Sequence, residues 1–212
     1  YSLERAADVL DKEQKQISLL EARGARLERK LVFRSEQAAR TRLADPEPQR
    51  RALAVSVLHN SQEAGLGMPL PAGIVRVYQA DASGAQQFVG EDAIDHTPRD
   101  ERVELELGDA FDVLGRRRQT AWRSTGPCSA ESGWDIELKN HKDADVHVEV
   151  VEPASRDYQV LRASHAFEPR DAQSFAFEVD VPARGKIQIT YQMRERWCDK
   201  HARPRPGREE RR

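Results

Sequence analysis

From about residue 50 onward, apolar and polar residues alternate along most of the chain. Apolar side chains occupy every second position of each run, and charged, amide or hydroxyl side chains fill the positions between them. This period of two is typical of a strand with one buried and one solvated face. The runs are residues 53–57, 75–77, 103–107, 136–138, 146–150, 175–181 and 187–193. The pattern predicts a mainly-β fold of antiparallel sheets, each with one wet side.

Turn residues separate several of these runs. The segment 81–84 (DASG) joins the run that ends at Tyr78 to residues 87–90, and the segment 182–185 (PARG) joins the last two runs. Asp, Ser, Pro and Gly favour tight turns because they cap backbone groups or supply the required φ angles. We therefore predict two β-hairpins at these segments.

The spacing of the later runs favours a small β-sandwich with Trp134 in its core. We predict an antiparallel β-sandwich architecture in two packed parts, residues 1–117 and 118–198, of which the second is Ig-like. The three arginines at 116–118 are interpreted as a solvated linker between the parts. Residues 199–212 contain Pro, Arg and Glu with almost no apolar positions, so we expect this tail to be disordered.

The first fifty residues permit two interpretations. Residues 9–31 are rich in helix-forming Glu, Lys, Gln, Arg and Leu, which is typical of an amphipathic helix. The alternative is a hairpin with strands at residues 16–20 and 27–33 around Arg23 and Gly24. We favour the hairpin because Gly24 would interrupt a long helix and the later runs offer sheets to join.

Composition and charge narrow the function classes. Charged residues make up 33% of the chain with both signs interleaved, and the formal net charge is -2. Such a balance creates no global field that would attract nucleic acid, so we expect no nucleic-acid partner. No apolar run approaches the ~18 residues that a membrane-spanning helix needs, so no transmembrane segment is expected. Because the chain begins at Tyr1 rather than Met, we expect a mature product or a C-terminal fragment.

The two cysteines, Cys128 and Cys198, are too few for a disulfide scaffold and have no metal-ligand spacing. The sequence leaves open whether they form one isolated disulfide or remain two thiols.

Residues 65–78 (GLGMPLPAGIVRVY) combine glycines and prolines in a loop that leads into an alternating strand. The prolines fix φ and bias the preceding residues toward extended geometry, so we predict a stiff, shaped loop. His59 and Asn60 precede it, and their side chains are placed to bind loop carbonyl groups. If the loop has a function, the apolar side chains of Leu66, Met68 and Leu70 are the candidate contacts for a partner.

One acidic cluster suggests an alternative chemistry. Glu91, Asp92, Asp95 and His96 lie within six residues, and carboxylates with an imidazole can bind a divalent metal or act in acid–base catalysis. The pattern favours ordinary turn chemistry, in which short acidic side chains bind backbone amides. His147 falls on the wet face of its predicted strand, so we expect a solvent-facing imidazole.

Recognised catalytic motifs are lacking from the sequence. The chain has no Gly-x-Ser-x-Gly elbow, no Walker loop and no complete dinucleotide fingerprint. We therefore expect no cofactor and regard an enzyme as the less favoured class.

Five segments resemble an uncharacterised bacterial family known as domain of unknown function 4139, which also forms the C-terminal part of mucoidy inhibitor A-like proteins. The segments are residues 59–60 (HN), 65–78, 88–98 (FVGEDAIDHTP), 107–113 (LGDAFDV) and 140–142 (NHK). The resemblance covers roughly residues 14 to 197. It implies a β-rich C-terminal domain of longer bacterial proteins that carry export signals, with no established catalytic residues. The arginine-rich tail lies outside the pattern.

Together these features predict a non-catalytic binding or assembly module of a bacterial envelope protein. The resemblance implies a periplasmic or secreted location, and the partner would be an envelope protein or an upstream domain of the same polypeptide. The alternative is a metal-dependent hydrolase with its site at residues 91–96, where Asp92, Asp95 and His96 would be the ligands.

Overall fold

The computed structural model describes residues 11–12, 14, 16, 18–36, 42 and 45–198, and these residues form eleven strands and no helix. The predicted mainly-β fold is therefore confirmed for the described part of the chain. The strands are β1 (Leu27–Arg34), β2 (Arg50–His59), β3 (Gly73–Ala80), β4 (Gln86–Ile94), β5 (Arg102–Gly126), β6 (Ser129–Asn140), β7 (Val146–Pro153), β8 (Asp157–Ala163), β9 (Glu168–Asp171), β10 (Ser174–Val181) and β11 (Lys186–Arg196).

Nine strands form one sheet in the order β8-β11-β6-β5-β2-β1-β7-β10-β9, and β3 pairs with β4 in a separate two-stranded sheet. The large sheet is mixed, because β1 runs parallel to β7 with Leu31 opposite Val148. The expectation of purely antiparallel sheets is therefore wrong at this pair. The alternation of apolar residues does not distinguish the two directions when a strand is buried.

The core shows that the large sheet folds over into a sandwich. Phe175 on β10 and Tyr191 on β11 lie near opposite ends of the strand order, yet their ring centroids are 5.5 Å apart. Trp134 on β6 stacks against Tyr191 at 6.5 Å and is fully buried, so its predicted role as a core anchor is confirmed. Two inward faces that share aromatic contacts in this way are characteristic of a β-sandwich.

Contacts divide the chain into two compact units, each built from two separate segments. The first unit contains residues 1–29 and 56–107, and the second contains residues 30–55 and 108–212. The alternating pattern predicts two continuous parts, residues 1–117 and 118–198, whereas each observed unit combines two separate segments. The predicted linker at residues 116–118 is wrong, because these arginines lie inside strand β5 and pair with β6.

One predicted hairpin is confirmed and the other is wrong. Strands β3 and β4 pair antiparallel across the turn at residues 81–84, where Asp81 accepts hydrogen bonds from the amides of Ser83 and Ala85. Strands β10 and β11 follow each other in sequence but do not pair, since β10 pairs with β7 and β9 while β11 pairs with β6 and β8. The turn at residues 182–185 therefore connects the two layers of the sandwich.

The N-terminal hairpin is half correct. Its second strand is confirmed as β1, but residues 18–20 have no regular secondary structure, so the predicted first strand is wrong over those residues. Ile17 of that strand and the predicted disordered tail, residues 199–212, lie outside the described residues. No helix in the described part of the chain is long and apolar enough to cross a membrane.

Cys128 and Cys198 form a disulfide, with Cα atoms 5.4 Å apart. The bond joins the turn between β5 and β6 to the residue that lies two positions beyond β11. Of the two alternatives that the sequence left open, the structure has the bridge.

Candidate functional site

The glycine-proline loop is organised by the buried side chain of Asn60. Its Nδ2 donates to the carbonyl oxygen of Met68 at 2.7 Å and to that of Pro98 at 2.6 Å. Its Oδ1 accepts from the amide of Gly67 at 3.2 Å. The expectation that Asn60 binds loop carbonyl groups is confirmed. These three hydrogen bonds hold the loop at Gly67 and Met68 close to the chain at Pro98.

Backbone geometry restricts the loop further. Gly67 has a φ of +80°, and a Cβ there would lie 2.7 Å from the amide nitrogen of Gln62. Leu70 and Thr97 exchange two backbone hydrogen bonds of 2.9 Å, which pin the end of the loop to the segment after β4. Only glycine combines this φ with this approach, so the loop is a rigid element.

The predicted contact residues, Leu66, Met68 and Leu70, are half-buried in this arrangement. Their role in binding a partner stays a prediction. Among the described residues of the first unit, the most exposed large apolar side chains lie on strands β3 and β4 instead.

The β3–β4 hairpin displays apolar side chains on its outer face. Ile74, Tyr78 and Phe88 are 61%, 50% and 56% exposed, whereas Val75 and Val77 on the opposite face are half-buried. This assignment agrees with the predicted alternation along β3. We call the outer side chains Ile74, Arg76, Tyr78, Phe88 and Glu91 the hairpin face.

A β-bulge places the two aromatic rings side by side. Val77 lies opposite Gly90 but Tyr78 lies opposite Phe88, so Val89 is an extra residue in β4. The bulge changes which side chains of β4 point outward, and it brings the rings of Tyr78 and Phe88 into edge-to-face contact at 5.6 Å. Arg76 and Glu91 form an ion pair of 2.8 Å next to them.

Gly90 fixes the inner side of the hairpin. A Cβ at this position would lie 2.4 Å from the carbonyl oxygen of Leu107, so the hairpin backbone packs directly on the chain at Leu107. Asp92 adds a second tie, because its Oδ2 accepts from the amide of Glu106 at 2.8 Å. The hairpin face is therefore carried on a supported hairpin.

Two residues of the alternative metal site, Asp92 and His96, use their side chains to bind backbone amides. Asp92 Oδ1 accepts from the amide of Ala93 at 2.8 Å, and His96 Nδ1 accepts from the amide of Ala72 at 3.3 Å. Asp95 contributes its backbone oxygen, which accepts from the hydroxyl of Thr97. Among the described residues, no group of three or more His, Cys, Asp or Glu side chains is arranged to hold a metal ion.

A second constellation lies in the sandwich core, around Arg117. Its Nε and Nη1 lie 2.8 Å from carboxylate oxygens of Glu152 and Glu47, respectively. Its Nη2 donates to the hydroxyl of Tyr191 at 3.1 Å, and that hydroxyl donates to Glu152 at 2.5 Å. The guanidinium also stacks 3.4 Å from the ring centre of Trp134. We call these five side chains the arginine cluster.

Four of the five side chains of the arginine cluster are buried, and the fifth, Glu47, is 17% exposed. Burial alone would lower the pKa of Arg117, but the charge of Glu152 and the contact with Tyr191 outweigh burial and raise it. Burial, followed by the neighbouring charge of Glu152, raises the pKa of Tyr191 well above its ordinary value. The contacts of the arginine cluster join the segment before β2 to strands β5, β6, β7 and β11.

His147 faces solvent, as its position on the wet face predicted. Its Nδ1 lies 2.7 Å from Asp180 and its Nε2 lies 2.8 Å from Glu178, across the β7–β10 pair. The hydrogen bonds to Asp180 and then to Glu178 raise the pKa of this imidazole, although partial burial opposes them. Since the two carboxylates bind opposite edges of the ring, one metal ion cannot take both partners together with the imidazole.

Comparison with known proteins adds little. No family model and no curated protein matches the chain. One solved structure, the folded domain of LppM from Mycobacterium tuberculosis, is similar over 90% of this chain and 100% of that chain, at 12% identity and a TM-score of 0.24. At that score the likeness carries no argument about function, and the family resemblance stays a prediction.

The sequence patterns did not predict the hairpin face or the arginine cluster. The sequence does contain a signal for the hairpin face. Residues 74–78 (IVRVY) have apolar side chains on both faces of the strand, and a two-stranded sheet that packs on one side leaves the other face exposed. A weaker signal for the second was that Arg117 shares the parity of Val113 and Gly115, which are buried positions of β5.

Proposed function

We propose that the chain is a non-catalytic binding module of a bacterial envelope protein and that the hairpin face is its contact surface for a protein partner. The observation that supports this most directly is the exposure of Ile74, Tyr78 and Phe88 on one supported face. Single exposed apolar residues are ordinary, but neighbouring ones on a rigid surface are typical of interaction sites.

The composition of the hairpin face suits protein recognition. Aromatic side chains bury a large area on contact and lose little rotamer entropy, which is why they dominate the energetics of interfaces. Arg76 and Glu91 lie beside the aromatic pair and provide charged groups at its edge. An apolar centre with charged groups around it is the usual anatomy of a transient interface.

The disulfide supports an envelope location. Structural disulfides persist in oxidising compartments such as the periplasm and are rare where thiols are kept reduced. The Cys128–Cys198 bond closes a separation of 70 residues around the sandwich. We therefore place the module outside the cytoplasm, as the resemblance to domain of unknown function 4139 also implies.

The partner is an envelope protein or an upstream domain of the same polypeptide. A photoreactive phenylalanine analogue at position 88, in cells that make the full-length protein, distinguishes the two. An intermolecular adduct of higher mass indicates a separate protein, and an internal cross-link without added mass indicates an upstream domain.

Phe111 provides a matched control, because it is also an exposed phenylalanine, 70% accessible, but its only described aromatic or cation neighbour is Arg51. We expect a discrete adduct from position 88 and none from position 111, and we expect Tyr78→Ser to weaken the position-88 adduct. Equal adducts from both positions, or none from either, would contradict the proposal.

The location is tested separately by trapping thiols in intact cells before lysis. We expect Cys128 and Cys198 to resist alkylation until a reductant is added. Free thiols in the trapped protein would remove the argument for an oxidising compartment and leave the contact-surface proposal intact.

A further inference from the structure

The outer face of the sandwich layer β5-β6-β11 carries an ordered array of charges. Inward side chains of these strands form the core, and the outward positions are almost entirely polar. Basic residues lie on the two flanking strands, and the strand between them carries acidic residues and one lysine, Lys139. The basic rows are Arg116, Arg118 and Arg123 on β5 and Lys186, Arg194 and Arg196 on β11, while the acidic row is Glu131, Asp135 and Glu137 on β6.

The acidic row is covered by the basic rows. Glu131 binds Arg123 at 2.5 Å from one side and Arg194 at 2.6 Å from the other. Asp135 binds Arg118 at 2.8 Å, and Glu137 binds Lys186 at 3.0 Å. Glu131 and Glu137 thus each bind two cationic side chains, whereas Asp135 binds Arg118 and the neutral side chain of Gln188.

Exposure shows which sign reaches the solvent. The side chains of Arg118, Arg123, Lys186, Arg194 and Arg196 are between 51% and 72% exposed, whereas those of the three carboxylates are between 10% and 36% exposed. A guanidinium has five donors, so an arginine that binds one carboxylate keeps others for a second anion. A chain whose formal net charge is -2 therefore presents one locally positive face.

We propose that this positive face docks on the surface of an anionic membrane. The two basic rows are separated by two strand spacings, about 10 Å, and the β11 row extends over about 33 Å. A single strand of a linear polyanion contacts the side chains of one basic row at a time. A planar layer of anionic lipid headgroups contacts both rows at once. Among the described residues, none of the exposed large apolar side chains belongs to this positive face. The contact is therefore electrostatic, and no apolar side chain of the face inserts into the lipid core.

This inference takes only the envelope location from the proposed function and does not use the hairpin face. The two surfaces have different chemistry, since one is apolar and aromatic and the other is basic. Failure of vesicle binding therefore leaves the cross-linking result standing, and failure of the cross-linking leaves vesicle binding standing.

The test is cosedimentation of the purified chain with vesicles of equal parts phosphatidylglycerol and phosphatidylcholine, and with vesicles of phosphatidylcholine alone. We expect binding to the anionic vesicles only, with a marked loss as salt rises, because the Debye length shortens. The face variant combines Arg123→Gln, Lys186→Gln and Arg196→Gln. At about a fivefold effect for each cation, it should bind about 100-fold more weakly.

The face variant is designed to keep the fold. Glu131 retains Arg194 after Arg123 is changed, and Glu137 retains Lys139 after Lys186 is changed. The control variant combines Arg23→Gln, Arg102→Gln and Arg184→Gln, three exposed arginines that also pair with carboxylates, at 2.9, 2.8 and 2.7 Å. Thermal unfolding of both variants checks that they remain folded.

Binding that is lost in the face variant and retained in the control variant supports the proposal. Equal loss in both variants would show a general charge effect and overturn it, as would the absence of binding by the unchanged chain. Binding to an acidic polysaccharide or to duplex DNA, without binding to anionic vesicles, would assign the face to a linear polyanion and would also overturn it.

Discussion

Asn60 and Arg117 both hold an irregular segment in place, but one does so with a neutral amide and the other with charges. Asn60 binds the glycine-proline loop of the first unit through the carbonyl groups of Met68 and Pro98. Arg117 binds the segment before β2 in the second unit, because its carbonyl accepts from the amide of Glu47 and its Nη1 binds the Glu47 carboxylate.

The difference lies in what each arrangement requires. The amide of Asn60 finds its partners in the backbone of nearby segments, so it depends on main-chain geometry. The guanidinium of Arg117 depends on the carboxylates of Glu47 and Glu152, which must also be buried or nearly so. Removing one member of a buried ion pair leaves an uncompensated charge, whereas removing a buried amide leaves unsatisfied dipoles. The charged arrangement should therefore be the more sensitive of the two to substitution.

The largest effect is expected from Glu152→Gln. The change keeps the shape but removes the charge that opposes Arg117 at 2.8 Å, and the free energy of unfolding should fall by about 3–5 kcal/mol. Denaturant unfolding measures it. Glu131→Gln is the matched control, since Glu131 also binds arginines but lies on the outer face, and it should cost less than about 1 kcal/mol. If the two variants lost the same free energy of unfolding, burial would not increase the cost of removing a carboxylate from an arginine.

Gly67→Ala should have the next largest effect. A Cβ at Gly67 meets the backbone of Gln62 at 2.7 Å, and the residue also has a φ of +80°. Gly84 has a φ of +85° and open space around its Cβ position, so Gly84→Ala isolates the φ penalty of about 1 kcal/mol. We expect Gly67→Ala to exceed it by about 1–3 kcal/mol. The two melting curves would coincide if the close approach at Gly67 were relieved at no cost.

Asn60→Ala tests the neutral arrangement directly. It leaves the carbonyls of Met68 and Pro98 and the amide of Gly67 without this partner, and the expected loss is about 1–3 kcal/mol. Hydrogen exchange should show faster exchange at Gly67, while amides of the sandwich stay protected. Gln192→Ala, at an exposed polar position on β11, should be close to neutral. If Asn60→Ala lost as much free energy of unfolding as Glu152→Gln, the charged arrangement would not be the more sensitive of the two.

The smallest effect concerns the exposed His147. Its pKa is raised in the folded protein, first by Asp180 and then by Glu178, so its contribution is present below the ordinary histidine pKa and is lost as pH rises through the folded value. His147→Gln should therefore reduce stability at about pH 5.5 more than at about pH 8.5. Exposure of the side chain limits the difference to less than about 1 kcal/mol. If His147→Gln lowered the free energy of unfolding equally at both pH values, the protonated imidazole would not be stabilised by Asp180 and Glu178.

Period-two alternation was enough to predict most of the strands but not their partners. Every second side chain is buried over residues 189–195 of β11 and over residues 177–181 of β10, as the alternation predicts. Strand β7 is instead buried on both faces from Val148 to Glu152, and Leu53 of β2 is only half-buried. Strands β8 and β9 were missed because they are edge strands with weak alternation. The turn at residues 182–185 predicted a hairpin because the same residue types form turns whether the flanking strands pair or belong to different layers.

The role of Asn60 could be predicted from the sequence, whereas the arginine cluster could not. Asn60 stands at a strand end before a loop rich in glycine, where an amide has carbonyl groups to bind, so its role followed from local sequence. The arginine cluster joins residues from five segments of the chain, and local patterning cannot show that Glu47, Glu152 and Tyr191 meet Arg117. A run of three arginines therefore suggested a solvated linker, although alternation along β5 places only the middle one inside.

The parallel pairing of β1 with β7 constrains how the polypeptide is completed during synthesis. Leu31 aligns with Val148, and the strand order places β1 between β2 and β7. Because β7 is made more than a hundred residues after β1, one edge of β1 stays unsatisfied until most of the chain has emerged. Non-local pairings of this kind slow folding and prolong the time during which strand edges are open to other chains. A nascent chain of this protein therefore benefits from being held unfolded until its synthesis is finished.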